Sequence, residues 1–254
     1  MEKNKLDKQD LRFAVLKLPK RLKEIMMSEI WAGKIFVAGG YMRAIVSREP
    51  LNDIDLFVGS KETAKILSEQ LAERPTDIYE TDNAYTIKGK IPLQVIHRWV
   101  FDKPEDISNS FDFTICCAVI YCERVRNSII SSNEEHKFDY KWDSYCDELF
   151  YVDLANKRLR YRCPVRNEDA GGSMLRVLKY YQRGYRIPLD SLGNVMARMI
   201  KEIEFGRFAF NPPTQKDEKE IGKIMTGLLR VVDPLIDPTR EAHLPSINDD
   251  DNNE

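Results

Sequence analysis

The order of features between residues 34 and 58 constrains this chain more than any other part of its sequence. A short apolar run, residues 34–38, is followed at once by Gly39 and Gly40 and then by a stretch with helical character. A second apolar run, residues 53–58, contains the motif Asp-Ile-Asp. Short apolar runs bounded by glycine or polar residues are typical of buried strands. The pattern therefore predicts a strand, a glycine turn, a short helix and a second strand.

The glycine pair and the two aspartates each have a chemical consequence. Residues without side chains let the backbone approach a ligand closely, and the free N–H groups at a helix N-terminus suit phosphate oxygens. Residues two apart on a strand face the same side, so we expect Asp53 and Asp55 to project together. Paired carboxylates favour Mg²⁺, and two such ions can hold the attacking and leaving oxygens of a phosphoryl transfer. Either motif alone is common in turns and strand edges, but their ordered combination favours a functional site.

The rest of the chain mixes predicted strands and helices and then becomes helical. The predicted helices cover residues 18–32, 41–46, 61–72 and 173–184, one helix that opens at Pro188, and one at about residues 221–232. The predicted extended segments are residues 77–80, 84–88, 91–100 and 113–122, with a small hairpin of residues 150–153 and 158–162. Residues 127–147 are predicted to form a loop with a short helix. The pattern indicates a first part with strands and helices and a second part with helices alone.

Charge and composition exclude several classes of protein. The formal net charge is −2, which excludes a generic, strongly basic nucleic-acid coat protein, although residues 157–186 are basic and residues 233–254 are acidic. The five cysteines form no Cys-x-x-Cys pair, so a disulfide scaffold or a zinc site is not expected. No apolar stretch has the length of a membrane helix or the form of a secretory signal. We therefore expect a cytoplasmic protein without a membrane partner.

Three stretches resemble a known superfamily. The sequence VAGGYMRAIVSREPLNDIDLFV resembles the signature of the polymerase-β-like nucleotidyltransferases, and within them the head domain of CCA-adding enzymes and bacterial poly(A) polymerases. The run SFDFTI, which contains Asp112, resembles a second motif of that head, Arg-Arg-Asp-Phe-Thr-Ile. Residues 174–187, which contain Arg176 and Lys179, resemble the neck helix of the CCA-adding enzymes.

The resemblance implies a fold and a division of the chain. The implied fold is α+β, with a nucleotidyltransferase head built on a mixed β-sheet flanked by helices and followed by a small helical neck-like domain. The head would be the catalytic domain. We predict the head at residues 1–165, the neck-like domain at residues 166–232 and an acidic disordered tail at residues 233–254.

The resemblance also implies a reaction and its residues. The reaction is transfer of a nucleoside monophosphate from a nucleoside triphosphate to an acceptor hydroxyl, with release of pyrophosphate and with a tRNA-like RNA 3′ end as the expected acceptor. The implied catalytic residues are Asp53, Asp55 and Asp112, of which Asp53 and Asp55 would bind two Mg²⁺ ions. The implied nucleotide-binding residues are Gly39, Gly40, Arg43, Arg48, Asp112, Arg176 and Lys179.

Departures from the family pattern leave more than one function open. Ala44 and Ser110 replace an aspartate and an arginine of the family motifs, and Gln94 takes the place of an acid that the superfamily often has on a central strand. Asp112 is either a third carboxylate near the metal ions or a cap at the start of a buried strand. The departures support an alternative to the enzyme, a catalytically degenerate module that binds a nucleotide or RNA without turnover. A protein or small-molecule acceptor also stays open, as does a toxin or defence factor that blocks tRNA ends.

Overall fold

The computed structural model describes residues 4–126, 138–164 and 170–201, together with residues 219, 222 and 223. One seven-stranded sheet organises this part of the chain, in the order β3-β4-β5-β2-β1-β6-β7. Its strands are β1 (Phe36–Ala38), β2 (Ile54–Phe57), β3 (Ile78–Glu80), β4 (Ala84–Ile87), β5 (Leu93–Ile96), β6 (Ala118–Arg126) and β7 (Phe138–Cys146). β2 and β5 are parallel and the other neighbours antiparallel, so the sheet is mixed.

Helices flank the sheet, and the predicted α+β class is confirmed. The helices are α1 (Lys8–Lys17), α2 (Lys20–Met26), α3 (Gly40–Ser47), α4 (Lys61–Leu71), α5 (Pro104–Ser110), α6 (Phe150–Ala155), α7 (Ala170–Gln182) and α8 (Leu189–Lys201). No helix in the described part of the chain combines the length and apolar character that a membrane crossing requires. The predicted boundaries between head, neck-like domain and tail stay predictions.

The alternation of side chains along the central strands divides the core in two. Ile54 and Leu56 of β2 belong to a large cluster that also contains apolar residues of α1, α2, α3, α4, α6 and α7. Phe57 belongs to a smaller cluster on the other face, with Ile107 of α5. Asp55 lies between Ile54 and Leu56 on the strand, so its side chain projects on the same face as Phe57. The packing of β2 thus fixes the face on which its carboxylate lies.

Three local predictions were wrong. β7 occupies residues for which a loop with a short helix was predicted, because its polar side chains alternate along an edge strand that pairs over nine residues with β6. Residues 150–153 were predicted as a strand but form part of α6, and the predicted hairpin is absent from this part of the structure. The predicted strand 113–122 is interrupted by a 3-10 turn at Thr114–Cys116. The helix predicted at residues 221–232, apart from Gly222 and Lys223, and the predicted tail lie outside the described residues.

Candidate active site

The last residue of β1, Ala38, pairs with Asp55 near the start of β2, and a glycine turn follows directly. Gly39 follows β1, has φ +73° and ψ −135°, and is the N-cap of α3. A Cβ atom built on Gly39 would lie 2.8 Å from the Oδ2 atom of Asp55. Both the positive φ and this distance require glycine, because a side chain would displace the carboxylate. The chain therefore places the start of α3 directly beside Asp55.

The two aspartates of the Asp-Ile-Asp motif interact through their charges. Asp55 pairs in register with Ala38 of β1 and with Gln94 of β5, and Asp53 comes just before β2. Burial and, after it, the negative charge of Asp53 raise the pKa of Asp55 to about 7, against the positive charge of Lys179, which lowers this pKa. A carboxylate with a raised pKa beside a second carboxylate is typical of functional sites.

A cavity of about 340 Å³ surrounds the aspartates and collects most of the predicted site residues. Its lining includes Gly39, Gly40, Arg43, Asp53, Asp55, Asp112, Arg176 and Lys179. Arg48 is not among the lining residues. It is exposed, with φ +55°, at the C-cap of α3. The structure therefore brings the predicted residues together with the exception of Arg48.

Four cations line the cavity, and all of them lie on helices or directly after one. Arg43 is buried on α3, Arg176 and Lys179 lie on α7, and Arg183 follows α7. The Nε atom of Arg43 is buried without a hydrogen-bond partner among the described residues. A buried guanidinium nitrogen beside a glycine turn suits an anionic ligand. The wall thus presents four cations to an anionic ligand, three of which also have a carboxylate partner, Glu49 or Asp112.

The carboxylate oxygens of Asp53 and Asp55 are suitable ligands for a divalent cation. They are the hard ligands that Mg²⁺ prefers, and a bound cation would offset the two causes that raise the pKa of Asp55, burial and then the negative charge of Asp53. Within the described ranges, no group of three or more His, Cys, Asp or Glu side chains is arranged to hold a metal ion. Asp112 lines the same cavity as the pair, and its role as a third carboxylate stays a prediction.

Asp112 joins α7 to the segment between α5 and β6. Its Oδ2 atom accepts hydrogen bonds from Ser173 Oγ at 2.9 Å and from Arg176 Nε at 2.7 Å. This helix was predicted to begin at residue 173, but α7 begins at Ala170 and Ser173 lies inside it. The buried carboxylate of Asp112 thus orients Arg176, a cation of the cavity wall.

Glu49 is a partner of two cations of the cavity, Arg43 and Arg183, and the sequence interpretation missed it. Its carboxylate forms an ion pair with Arg43, accepts hydrogen bonds from Lys157 Nζ at 2.7 Å and Tyr185 Oη at 3.0 Å, and lies 4.0 Å from Nη1 of Arg183. These partners come from α3, from the segment after α6 and from the segment after α7. Glu49 is the only acid between Gly39 and Asp53 in the sequence, a signal that could have identified it.

Comparison with solved structures gives partial likenesses. The Thermotoga maritima CCA-adding enzyme in complex with tRNA is 16% identical, with a TM-score of 0.46, and the alignment covers 91% of this chain and 54% of that one. A CCA-adding enzyme in complex with CTP is 18% identical, also with a TM-score of 0.46, covering 87% of this chain and 48% of that one.

Comparison with protein sequences identifies a family. A curated relative named "Gabija anti-defense 2", from Bacillus phage SPbetaL7, is 25% identical over 181 residues, which are 69% of this chain. The aligned part spans 40% of that relative's length. The family profile described as "Gabija anti-defense 2 family protein" matches residues 13–157, which contain β1 to β7, α3, the Asp-Ile-Asp motif and Glu49. Because this match covers more than half of its 254 residues, the chain belongs to the Gabija anti-defense 2 family.

Proposed function

We propose that this chain is a metal-dependent nucleotidyltransferase that transfers a nucleoside monophosphate from a nucleoside triphosphate to an acceptor hydroxyl. One observation carries the proposal. A glycine turn at a helix N-terminus, two adjacent carboxylates and four cations line a single cavity of about 340 Å³. The three parts correspond to what phosphoryl transfer needs, namely a phosphate cradle, ligands for divalent cations and positive charge for the leaving group.

Each part of the cavity has a role in the proposed reaction. Gly39 and Gly40 allow the donor phosphates to approach the backbone, and Asp53 and Asp55 hold Mg²⁺. Mg²⁺ held by these residues would supply the positive charge that lowers the pKa of the acceptor hydroxyl and neutralises the leaving pyrophosphate. Lys179 and Arg183 attract the pyrophosphate, and Asp112 keeps Arg176 oriented toward it. We predict little covalent work for the protein, because position and charge supply the rate.

We propose an RNA 3′ end as the acceptor and an anti-defence role for the reaction. The basic character of residues 157–186 supports an RNA partner, since phosphate contacts dominate nucleic-acid affinity. The name of the phage relative supports the anti-defence role. The acceptor can be tested with purified protein and the anti-defence role in infected bacteria, so either proposal can fail without the other.

The test of the activity is labelling of total bacterial RNA with each α-³²P nucleoside triphosphate in the presence of Mg²⁺. We expect wild type to label RNA and the Asp53→Asn, Asp55→Asn double variant to lose at least about 100-fold of that rate, as removal of a key charge-stabilising group does in other enzymes. A matched control replaces two exposed aspartates outside the cavity, Asp139→Asn with Asp190→Asn, and keeps the wild-type rate. Equal labelling by wild type and the Asp53, Asp55 variant contradicts the proposal.

A second candidate function, nucleotide binding without turnover, is favoured by one observation. Gln94, an amide, is the register partner of Asp55, where a third acid would complete a set of metal ligands. Calorimetric titration with ATP and Mg²⁺, run beside the labelling assay, separates the two candidates. Saturable binding with no labelled product from any nucleotide or acceptor supports the binding module.

The anti-defence role is tested in bacteria that carry the Gabija defence. We expect expression of wild type to raise the number of phage plaques and expression of the Asp53→Asn, Asp55→Asn variant to leave it unchanged. If both proteins raise the number of plaques, the anti-defence role does not depend on the transfer activity. Rescue by neither removes the role from this chain.

A further inference from the structure

The order of strands separates the cavity into two walls of different character. β2, which carries Asp55, lies between β1 on one side and β5 on the other. Arg43 belongs to α3, which starts at the end of β1. The other three cations belong to α7 or directly follow it, and a hydrogen bond joins α7 to Asp112, which precedes β6 in the chain. The four cations therefore lie on the β1 and β6 side of the aspartates.

The opposite wall carries no charge among its lining residues. It consists of Asn83 before β4, Gln94 and Ile96 on β5, and Trp99 after β5. We call these four residues the neutral wall. Gln94 is the register partner of Asp55, and Ile96 is the register partner of Phe57. The wall places the amide of Gln94 in the row of Asp55 and the apolar side chain of Ile96 in the row of Phe57, and Asn83 lies beyond that second row.

In-line displacement assigns the two walls to opposite partners of the reaction. The attacking oxygen and the leaving oxygen lie on opposite sides of the phosphorus atom. A leaving pyrophosphate carries several negative charges and belongs with the four cations. The attacking hydroxyl must then approach from the other side of the aspartates, which is the side of the neutral wall.

The neutral wall has the features of a site for a single unpaired base. Aromatic side chains bind bases by stacking, whatever the sequence. The exposed Arg98 places its guanidinium 5.2 Å from the centroid of the Trp99 ring and donates a hydrogen bond to Asn83 Oδ1 at 2.8 Å. Since arginine only donates, Asn83 keeps its N–H₂ group for another acceptor. Arg98 is not a lining residue, but these two contacts place its cation next to the wall.

We propose that the neutral wall is the acceptor subsite, and that it binds the unpaired 3′-terminal nucleoside of a single-stranded RNA by stacking on Trp99. The inference rests on the proposed function, which it deepens by placing the acceptor. The step forms a bond between the acceptor 3′ oxygen and the α-phosphorus of the donor and breaks the bond from that phosphorus to the bridging oxygen of pyrophosphate. The hydroxyl proton leaves to solvent.

The first test separates the acceptor from the donor by steady-state kinetics. Trp99→Leu is expected to raise the KM for a single-stranded eight-nucleotide RNA by about 5- to 150-fold, the range of one lost stacking contact, and to leave the KM for the nucleoside triphosphate within about twofold. Trp99→Phe keeps an aromatic ring and should recover most of the loss. The control Tyr79→Leu removes an exposed aromatic residue of β3 outside the cavity and should match wild type. A raised KM for the triphosphate instead makes the wall the donor-base site and overturns the proposal.

The second test needs no turnover, so it stays informative if the activity itself fails. Binding of the fluorescein-labelled RNA is measured by anisotropy in the Asp53→Asn, Asp55→Asn background, with and without Trp99→Leu. We expect the same loss of affinity, about 5- to 150-fold, and weak competition by a blunt duplex whose terminal bases are paired. Unchanged RNA affinity overturns the proposal. Competition by a tyrosyl peptide that equals competition by the unlabelled RNA, and that is lost in Trp99→Leu, overturns it in favour of a protein acceptor.

Discussion

Gly39 is the residue whose replacement should have the largest effect for the smallest change. Gly39→Ala adds one Cβ atom 2.8 Å from Asp55 Oδ2 at a backbone conformation that is almost confined to glycine. We expect a loss of about 1–3 kcal/mol in the free energy of unfolding and a loss of transfer activity, because Asp55 must move. Urea unfolding and the labelling assay measure the two effects.

The matched control for that change is Gly193→Ala. Gly193 lies within α8, and a Cβ atom there meets nothing within 4 Å. Alanine in a helix is favoured over glycine by about 1 kcal/mol, so we expect this variant to be as stable as wild type or more so. If Gly39→Ala matches Gly193→Ala in stability and in labelling, the close approach of Gly39 to Asp55 affects neither property.

The raised pKa of Asp55 predicts a pH dependence of stability in the metal-free protein. A carboxyl whose pKa rises from 3.8 in the unfolded chain to about 7 in the folded chain holds its proton more tightly when folded. The folded state is then favoured below about pH 4, and that advantage falls as pH rises to about 7. Urea unfolding in EDTA should show wild type losing stability relative to Asp55→Asn between about pH 4 and 7, with no further change above about pH 8. A constant difference over this range contradicts the assignment.

At the residue scale, the sequence predicted the aspartate pair and its glycine turn but not the partners of the neighbouring charges. The alternation of side chains on a strand is local, so Asp53 and Asp55 could be placed on one side from spacing alone. The hydrogen bonds of Asp112 join residues 61 and 64 positions apart. Such pairs depend on how α7 packs on the sheet, which no local pattern contains.

At the scale of elements, Glu49 joins the end of α3 to the segments that follow α6 and α7. Glu49→Gln removes the negative charge and leaves Arg43 buried without its ion pair. We expect a loss of about 3–5 kcal/mol in the free energy of unfolding, as for other buried pairs that lose one partner. Urea denaturation measures it, with the exposed Glu69→Gln on α4 as the control, which should cost less than about 0.5 kcal/mol. Equal stability of the two variants means that the Glu49 contacts do not hold these elements together.

Elements with a strong local pattern were predicted well, and elements set by tertiary pairing were not. The helix predicted at residues 61–72 is α4, which has a Ser60 cap and apolar residues at helical spacing. In contrast, residues 150–153 are rich in β-forming side chains, yet α6 forms because Phe150 and Leu154 share one face and pack into the core. For β7, the nine register pairs with β6 outweigh its polar composition. Propensity decides where packing is weak, and packing decided both of these segments.

At the scale of the whole molecule, binding of the donor should stabilise the fold. A ligand that binds the folded state alone adds about 2.7 kcal/mol at roughly 100 times its dissociation constant. For a protein of this size that corresponds to a rise of about 5–10 °C in Tm. Thermal unfolding with ATP and Mg²⁺ measures it. The Asp53→Asn, Asp55→Asn variant should lose most of the rise, whereas an equal rise in both proteins would mean that the nucleotide binds elsewhere.

The position of β2 at the middle of seven strands has an evolutionary consequence. The hairpin of β4 and β5 can exchange side chains without disturbing Gly39, Arg43 or α7, which approach the aspartates from the opposite flank. Under the proposed function, such exchanges would change the acceptor and leave the donor side of the cavity constant. Variation among members of the family should concentrate at positions 83, 94, 96 and 99 and spare the glycine turn.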